Sequence, residues 1–181
     1  MPRIVPHLLP LLCLALGACG SNHAATRGGN YVGGSVAVEC APFARALTGV
    51  HLSGAAADWW SETEGRYRRS QDPDVGSLLV FRRSSHLPSG HVAVVSEVVS
   101  SRQILVSQAN WVHHRITEDQ AVIDVSAAGN WSMVRVFWPP SSQMGTAEYP
   151  TYGFIRPDHP RSHRTIAERT PEAVSMAKAG W

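Results

Sequence analysis

The spacing of apolar residues changes near residue 76. Upstream it is helical. In Glu39-Cys40-Ala41-Pro42-Phe43-Ala44-Arg45-Ala46-Leu47-Thr48-Gly49, Phe43 and Leu47 stand four apart and share one face. Pro42 suits a first helical turn, where its missing N–H costs nothing, and Gly49 supplies the stop. A second short helix is expected over residues 52–60, with Ser53 as its N-cap and Trp59 and Trp60 at its end. Residues 62–74 are charged and close on the turn signal Asp72-Pro73-Asp74. Downstream the pattern becomes β. Residues 76–81, 91–99, 103–110, 121–125 and 133–138 read as strands, and Pro139-Pro140 ends the ladder. Residues 149–155, rich in Tyr and Pro, are expected to lie back across the sheet.

The two ends have a different texture. Residues 1–18 combine Arg3 with an apolar run through Leu8, Leu9, Leu11, Leu12, Leu14 and Leu16, which suits an export signal. Leu16-Gly17-Ala18-Cys19 resembles a bacterial lipobox. That resemblance implies cleavage before Cys19, lipidation of Cys19, and a membrane anchor; Gly20 after it points to the outer membrane, facing the periplasm. The competing reading is a plain secretory signal cut near His23-Ala24-Ala25. Residues 19–30 read as a flexible tether. Residues 31–155 form the single domain, and 156–181 read as a polar, mostly disordered tail with a weak helix after Pro171.

Composition narrows the function. A 44% hydrophobic content suits a packed core. Lys+Arg total 16 against 14 acidic residues, with no basic stripe, which argues against nucleic acid. There are three cysteines. With Cys13 removed and Cys19 acylated, Cys40 is the remaining thiol. At a helix start Cys40 would feel a field that favours thiolate, the reactive form; the alternative is a small buried core cysteine. His113-His114, with His51 or His86, matches no zinc-ligand spacing, so neither metal nor cofactor is expected. Asp58 and Asp124 are isolated carboxylates.

A base for Cys40 can be sought in the hairpin. With a turn centred on Ser100 and Ser101, opposed residues sum to 201, so Val95 faces Val106 and His91 faces Asn110 on one side of the sheet. A cysteine nucleophile needs a base in reach, and the base needs a third group to fix its tautomer. Cys40, His91 and Asn110 are of the right types.

These residues carry a resemblance. Cys40-x-Pro-Phe-Ala-Arg, Gly76-Ser-Leu-Leu-Val-Phe81, Gly90-His91-Val-Ala-Val-Val and Val106-Ser-Gln-Ala-Asn110-Trp111 resemble, in order and spacing, a CHAP domain. That family of cysteine, histidine-dependent amidohydrolases/peptidases belongs to the NlpC/P60-like, papain-like group. The resemblance covers residues 31–155. It implies an α+β fold with N-terminal helices packed on an antiparallel β-sheet. It also implies cleavage of an amide bond in peptidoglycan, with Cys40 as nucleophile, His91 as base and acid, and Asn110 as the orienting residue. Many members have glutamate two residues before that asparagine; this chain has Gln108, on the same strand face as Asn110. Glu39 would oppose thiolate formation if it pointed inward. The Cys40 backbone N–H is the natural oxyanion donor. Gln108, Trp111, Trp59 and Trp60 are candidates for supporting or groove positions. The competing readings are an inactive CHAP-like module that binds wall peptide or a regulatory protein partner, and a lipoprotein linked between chains through Cys40.

Overall fold

The computed structural model describes residues 28–158 and 164–180. The expected signal peptide, Cys19 and most of the tether lie outside the described residues.

The first helix forms where the apolar spacing places it. α1 spans Cys40–Thr48, buries Phe43, Ala44 and Leu47, and ends at Gly49, whose φ of 72° lets its N–H reach the Arg45 carbonyl. The second helix is displaced. A 3-10 turn occupies Ala56–Asp58 and α2 spans only Trp59–Glu62. Ser53 is not its cap; the Ser53 N–H instead donates to the Glu62 carboxylate.

Among the described residues nine strands follow one another as β1 (Gly28–Val32), β2 (Arg68–Ser70), β3 (Leu78–Phe81), β4 (His91–Ser100), β5 (Gln103–Ala109), β6 (Ile116–Asp124), β7 (Met133–Trp138), β8 (Gln143–Met144) and β9 (Tyr149–Arg156). All pairings are antiparallel. β3, β4, β5, β6, β7 and β9 pair in turn, and β9 returns to β3, so six strands close into a barrel. β1, β2 and β8 extend it beside β6, β9 and β7.

Alternation along the strands sorts the side chains into two layers. Leu79, Phe81, Ala93, Val95, Ile104, Val106, Val122, Val134, Val136 and Phe154 come from all six barrel strands and form the interior with Trp131. The intervening residues Leu78, Val80, Val92, Val94 and Ile155 pack outward against Phe43, Leu47 and Trp59. α1 lies on β4 and β5. The helical layer is not wholly N-terminal, because α3 (Ile166–Lys178) packs on α1.

α3 corrects the expectation of a disordered tail. Thr165 and Glu168 form a reciprocal capping box, Ile166, Thr170 and Ala173 are buried, and the Arg169 guanidinium donates to the Leu47 carbonyl. The helix runs through Pro171 rather than starting after it. At the other end, β1 takes up residues 28–30 of the expected tether by pairing with β6.

Candidate active site

Cys40 begins α1 and His91 begins β4, so the two meet where the helix start crosses the barrel rim. The Cys40 thiol lies beside the His91 side chain and the Val92 backbone, near enough for each to act on its ionisation. They open onto a cavity of about 590 Å³, lined also by Glu39, Arg45, His86 and Asn110. The first intrahelical bond of α1 runs from the Phe43 N–H to the Glu39 carbonyl, and Pro42 has no N–H. The Cys40 and Ala41 N–H groups therefore lie ahead of the helical ladder, at its electropositive end.

His91 is only 4% exposed. Its ring is held edge-on by Phe81 at 5.5 Å and Trp111 at 5.1 Å between centroids. Its Nε2 is 2.8 Å from Gln108 Oε1, so the nitrogen left to face the thiol is Nδ1.

The side chain that meets the His91 ring is thus Gln108, not the expected Asn110. The hairpin turn sits one residue later than expected, with Ser100 opposite Gln103, but two bulges restore the register so that Val95 does face Val106. The ladder stops at Ala109, and Asn110 turns into the left-handed region at φ 60°. Asn tolerates that conformation, and it takes the side chain out of strand phase. Asn110 Nδ2 donates to Glu39 Oε2 at 2.9 Å, and its Oδ1 accepts the His114 N–H at 2.8 Å. It ties Glu39, the residue before Cys40, to the following loop. Neither composition nor strand alternation could separate Gln108 from Asn110, because alternation puts both on one face; the end of β5 at Ala109 separates them.

Charge is arranged around the pair. Burial of the Cys40 thiol is the largest single influence and opposes ionisation, as does Glu39. The positive His91 ring, its hydrogen bond and the Val92 contact together outweigh both, and Cys40 ionises below its ordinary value. His91 mirrors it. Burial disfavours the imidazolium, but the Cys40 charge and hydrogen bond, the Gln108 carbonyl oxygen and Glu39 raise its ionisation above the ordinary value. The arrangement favours a thiolate–imidazolium pair.

The tryptophans divide. Trp59 is fully buried in the core, and Trp60 stacks on Tyr152 at 5.6 Å and carries the Arg69 guanidinium over its ring. Neither lines the Cys40 cavity. Trp111 packs between His91 and Tyr149, and also lines a second cavity of about 380 Å³ with Trp138 and Met144. His113 and His114 stack on each other at 3.7 Å. Asp58 pairs with Arg83, and Asp124 with Arg102 and Ser126.

No curated protein sequence matches this chain. Among solved structures, the N-acetylmuramoyl-L-alanine amidase from Staphylococcus aureus is similar at 24% identity and a TM-score of 0.41, over 55% of this chain and 30% of that chain. This chain therefore spans less than a third of that amidase's length. The family model of the CHAP domain matches residues 29–110. That stretch holds Cys40, His91, Gln108 and Asn110, and it belongs to the CHAP domain family.

Proposed function

We propose that this chain is a peptidoglycan hydrolase of the cysteine amidohydrolase/peptidase type, an amidase or endopeptidase that cleaves a wall amide through a covalent Cys40 intermediate. The observation that carries the reading is the adjacent, charge-coupled Cys40–His91 pair, formed at a helix start and open to one cavity. A nucleophile borne on a helix against a histidine borne on a strand suits the papain-like, NlpC/P60-like arrangement.

The chemistry follows from the geometry. The Cys40 thiolate attacks the amide carbonyl carbon, forming the C–S bond, and the oxyanion is met by the Cys40 N–H at the start of α1. Collapse breaks the C–N bond, and the departing amine takes the proton from His91 Nδ1. Water then attacks the thioester, giving a proton to His91, and the C–S bond breaks to restore the thiolate. Gln108 holds the imidazole in place throughout and accepts from Nε2–H. We propose further that lipidated Cys19 anchors the protein at the outer membrane, which would place this site within reach of the wall.

The test is digestion of purified peptidoglycan by the wild-type chain, Cys40→Ala and His91→Ala, with mass spectrometry of the released fragments. Wild type should release fragments with new amine and carboxyl ends, and each substitution should lower the rate by at least ~10³-fold. Retention on peptidoglycan without new ends, equal in wild type and Cys40→Ala, would replace this reading with a binding module.

A further inference from the structure

Behind Gln108 runs a line of buried amides. Gln108 Nε2 donates to Gln120 Oε1 at 2.8 Å, and Gln120 Nε2 donates to the Phe137 carbonyl at 2.6 Å. Thr117 Oγ1 donates to the same Gln120 oxygen at 2.5 Å. Gln108, Thr117 and Gln120 are all at most 1% exposed, so water does not compete for these groups.

We propose that Gln120 is a positioning residue for His91: acting through Gln108, it keeps the proton of the neutral imidazole on Nε2, so that Nδ1 is the nitrogen that takes up and returns the Cys40 proton. The inference rests on the reading of Cys40 and His91 as the reacting pair. A backbone carbonyl can only accept, so the Phe137 oxygen dictates which end of the Gln120 amide faces it. That sets Gln120 Oε1 toward Gln108, which sets Gln108 Nε2 toward Gln120 and its Oε1 toward His91. His91 Nε2 must then be the donor. Reversing any amide would set two acceptors or two donors face to face in a dry site. A neutral imidazole with its proton on Nδ1 would present a proton to the thiol where a lone pair is required.

The packing over the relay is specific to it. β1 crosses Gln120 and Phe137 through two glycines. A Cβ on Gly29 would lie 2.9 Å from Gln120 Cβ, and one on Gly28 would lie 2.4 Å from the Phe137 ring. The backbone of β1 thus pairs with β6 right beside the line, and at Gly29 a side chain would meet the Gln120 Cβ and backbone.

The first experiment uses the full chain with Cys13→Ser and Cys19→Ser, leaving Cys40 as the single thiol. Alkylation by iodoacetamide is followed against pH. The titratable groups acting on His91 are Cys40 and Glu39, both at the start of α1, while β3 and β5 present Phe81 and Gln108, which do not titrate. Gln120→Met keeps the volume and deletes the amide. It should shift the profile to higher pH and slow alkylation at pH 6.5 by about tenfold or more, while circular dichroism stays native. Adding Gln108→Glu to Gln120→Met should restore the rate, because a carboxylate accepts through either oxygen and needs no orienting partner. An unchanged profile in Gln120→Met, or no rescue in the double variant, would overturn the proposal.

The second experiment needs no folded variant of the relay. In the Cys40→Ala chain, imidazole ¹⁵N shifts report which nitrogen of neutral His91 carries the proton. Nε2–H is expected, and Nδ1–H overturns the proposal. If wild-type Cys40 alkylates as an ordinary thiol, the hydrolase reading falls, and the ¹⁵N shifts still decide the relay.

Discussion

Gly90→Ala should damage both the fold and the site, through a contact that can be read atom by atom. Gly90 sits at φ +70°, immediately before His91. A Cβ there would lie 2.5 Å from the Ala57 Cβ, 2.7 Å from the Phe81 carbonyl oxygen and 2.8 Å from the Ala57 nitrogen. Two of the three are backbone atoms held in place, the Ala57 N–H by its bond to the Ser89 carbonyl and Phe81 by its pairing with His91. The left-handed conformation costs an alanine about 1–2 kcal/mol, and forced overpacking about 1–3 kcal/mol more. Together they give about 2–5 kcal/mol, against a total stability of about 5–15 kcal/mol for a typical domain. The chain should fold at low temperature, with its urea midpoint lowered by about 1–2 M.

The effect on the site follows from distance. Relieving the 2.5 and 2.7 Å contacts to an ordinary 3.4 Å requires a shift of about 0.7–0.9 Å at the residue next to His91. The 2.8 Å bond to Gln108 cannot survive a displacement of that size at full strength. A misplacement near 1 Å costs about 10²-fold in rate. Gly76→Ala is the matched control. Gly76 has φ +84° with open space around its Cβ position, so it incurs the conformational cost alone, away from His91. Urea unfolding followed by tryptophan fluorescence, with fragment release from peptidoglycan and Cys40 alkylation at pH 6.5, separates the two. If Gly90→Ala matches Gly76→Ala in stability and in both rates, the claim that Gly90 seats His91 is refuted.

The other expectations concern charge and the C-terminal helix. His91→Ala removes the two largest influences that favour the Cys40 thiolate, leaving burial and Glu39 to oppose it. Thiolate absorbance should then rise only above the ordinary thiol range, where wild type ionises below it. Glu39→Gln removes a charge that raises the pKa of both Cys40 and His91. The ion pair exists above the Cys40 value and below the His91 value, so both limbs of the bell-shaped pH–rate profile should move toward acid. A profile that shifts toward base, or only on one limb, would contradict this. Thr165→Ala deletes the capping box and should cost about 1 kcal/mol, seen as faster amide exchange in α3, with little change in Cys40 alkylation.

The parts of the site legible in the sequence were those set by local rules. Pro42, the Phe43–Leu47 spacing and Gly49 determine α1, and α1 determines where Cys40 sits. The alternation in β4 places His91 in phase with the barrel interior. The third residue was not legible because strand phase says which face a side chain takes, not where the ladder stops. Asn110 lies one residue past that stop, and Gln108 one residue before it. Residues 28–30 failed for a related reason. Glycines that suggest a tether also permit close backbone approach, and only the location of Gln120 and Phe137 beneath them decides which use applies. For the tail, Thr165 and Glu168 already spelled the cap, but the reason α3 stays helical is burial of Ile166 and Ala173 beside α1, a tertiary contact.

A glutamine beside a buried histidine raises the question of how a neutral group does work that a carboxylate does by charge. A carboxylate accepts whichever way it is turned, but burying it is costly unless the site is otherwise compensated. An amide avoids that cost and carries an ambiguity instead, since its two ends are nearly the same shape with opposite hydrogen-bonding sense. Gln108, 1% exposed, cannot resolve that ambiguity through water. Here Gln120 and the Phe137 carbonyl resolve it, each link determined by the next, ending on a backbone group that cannot reverse its sense. The Thr117 hydroxyl fills the remaining acceptor site of Gln120. A barrel is well suited to this, because β5, β6 and β7 are consecutive strands of one closed ring. The directional information needed at the barrel rim is thus carried inward across three strands, by groups that need not change charge.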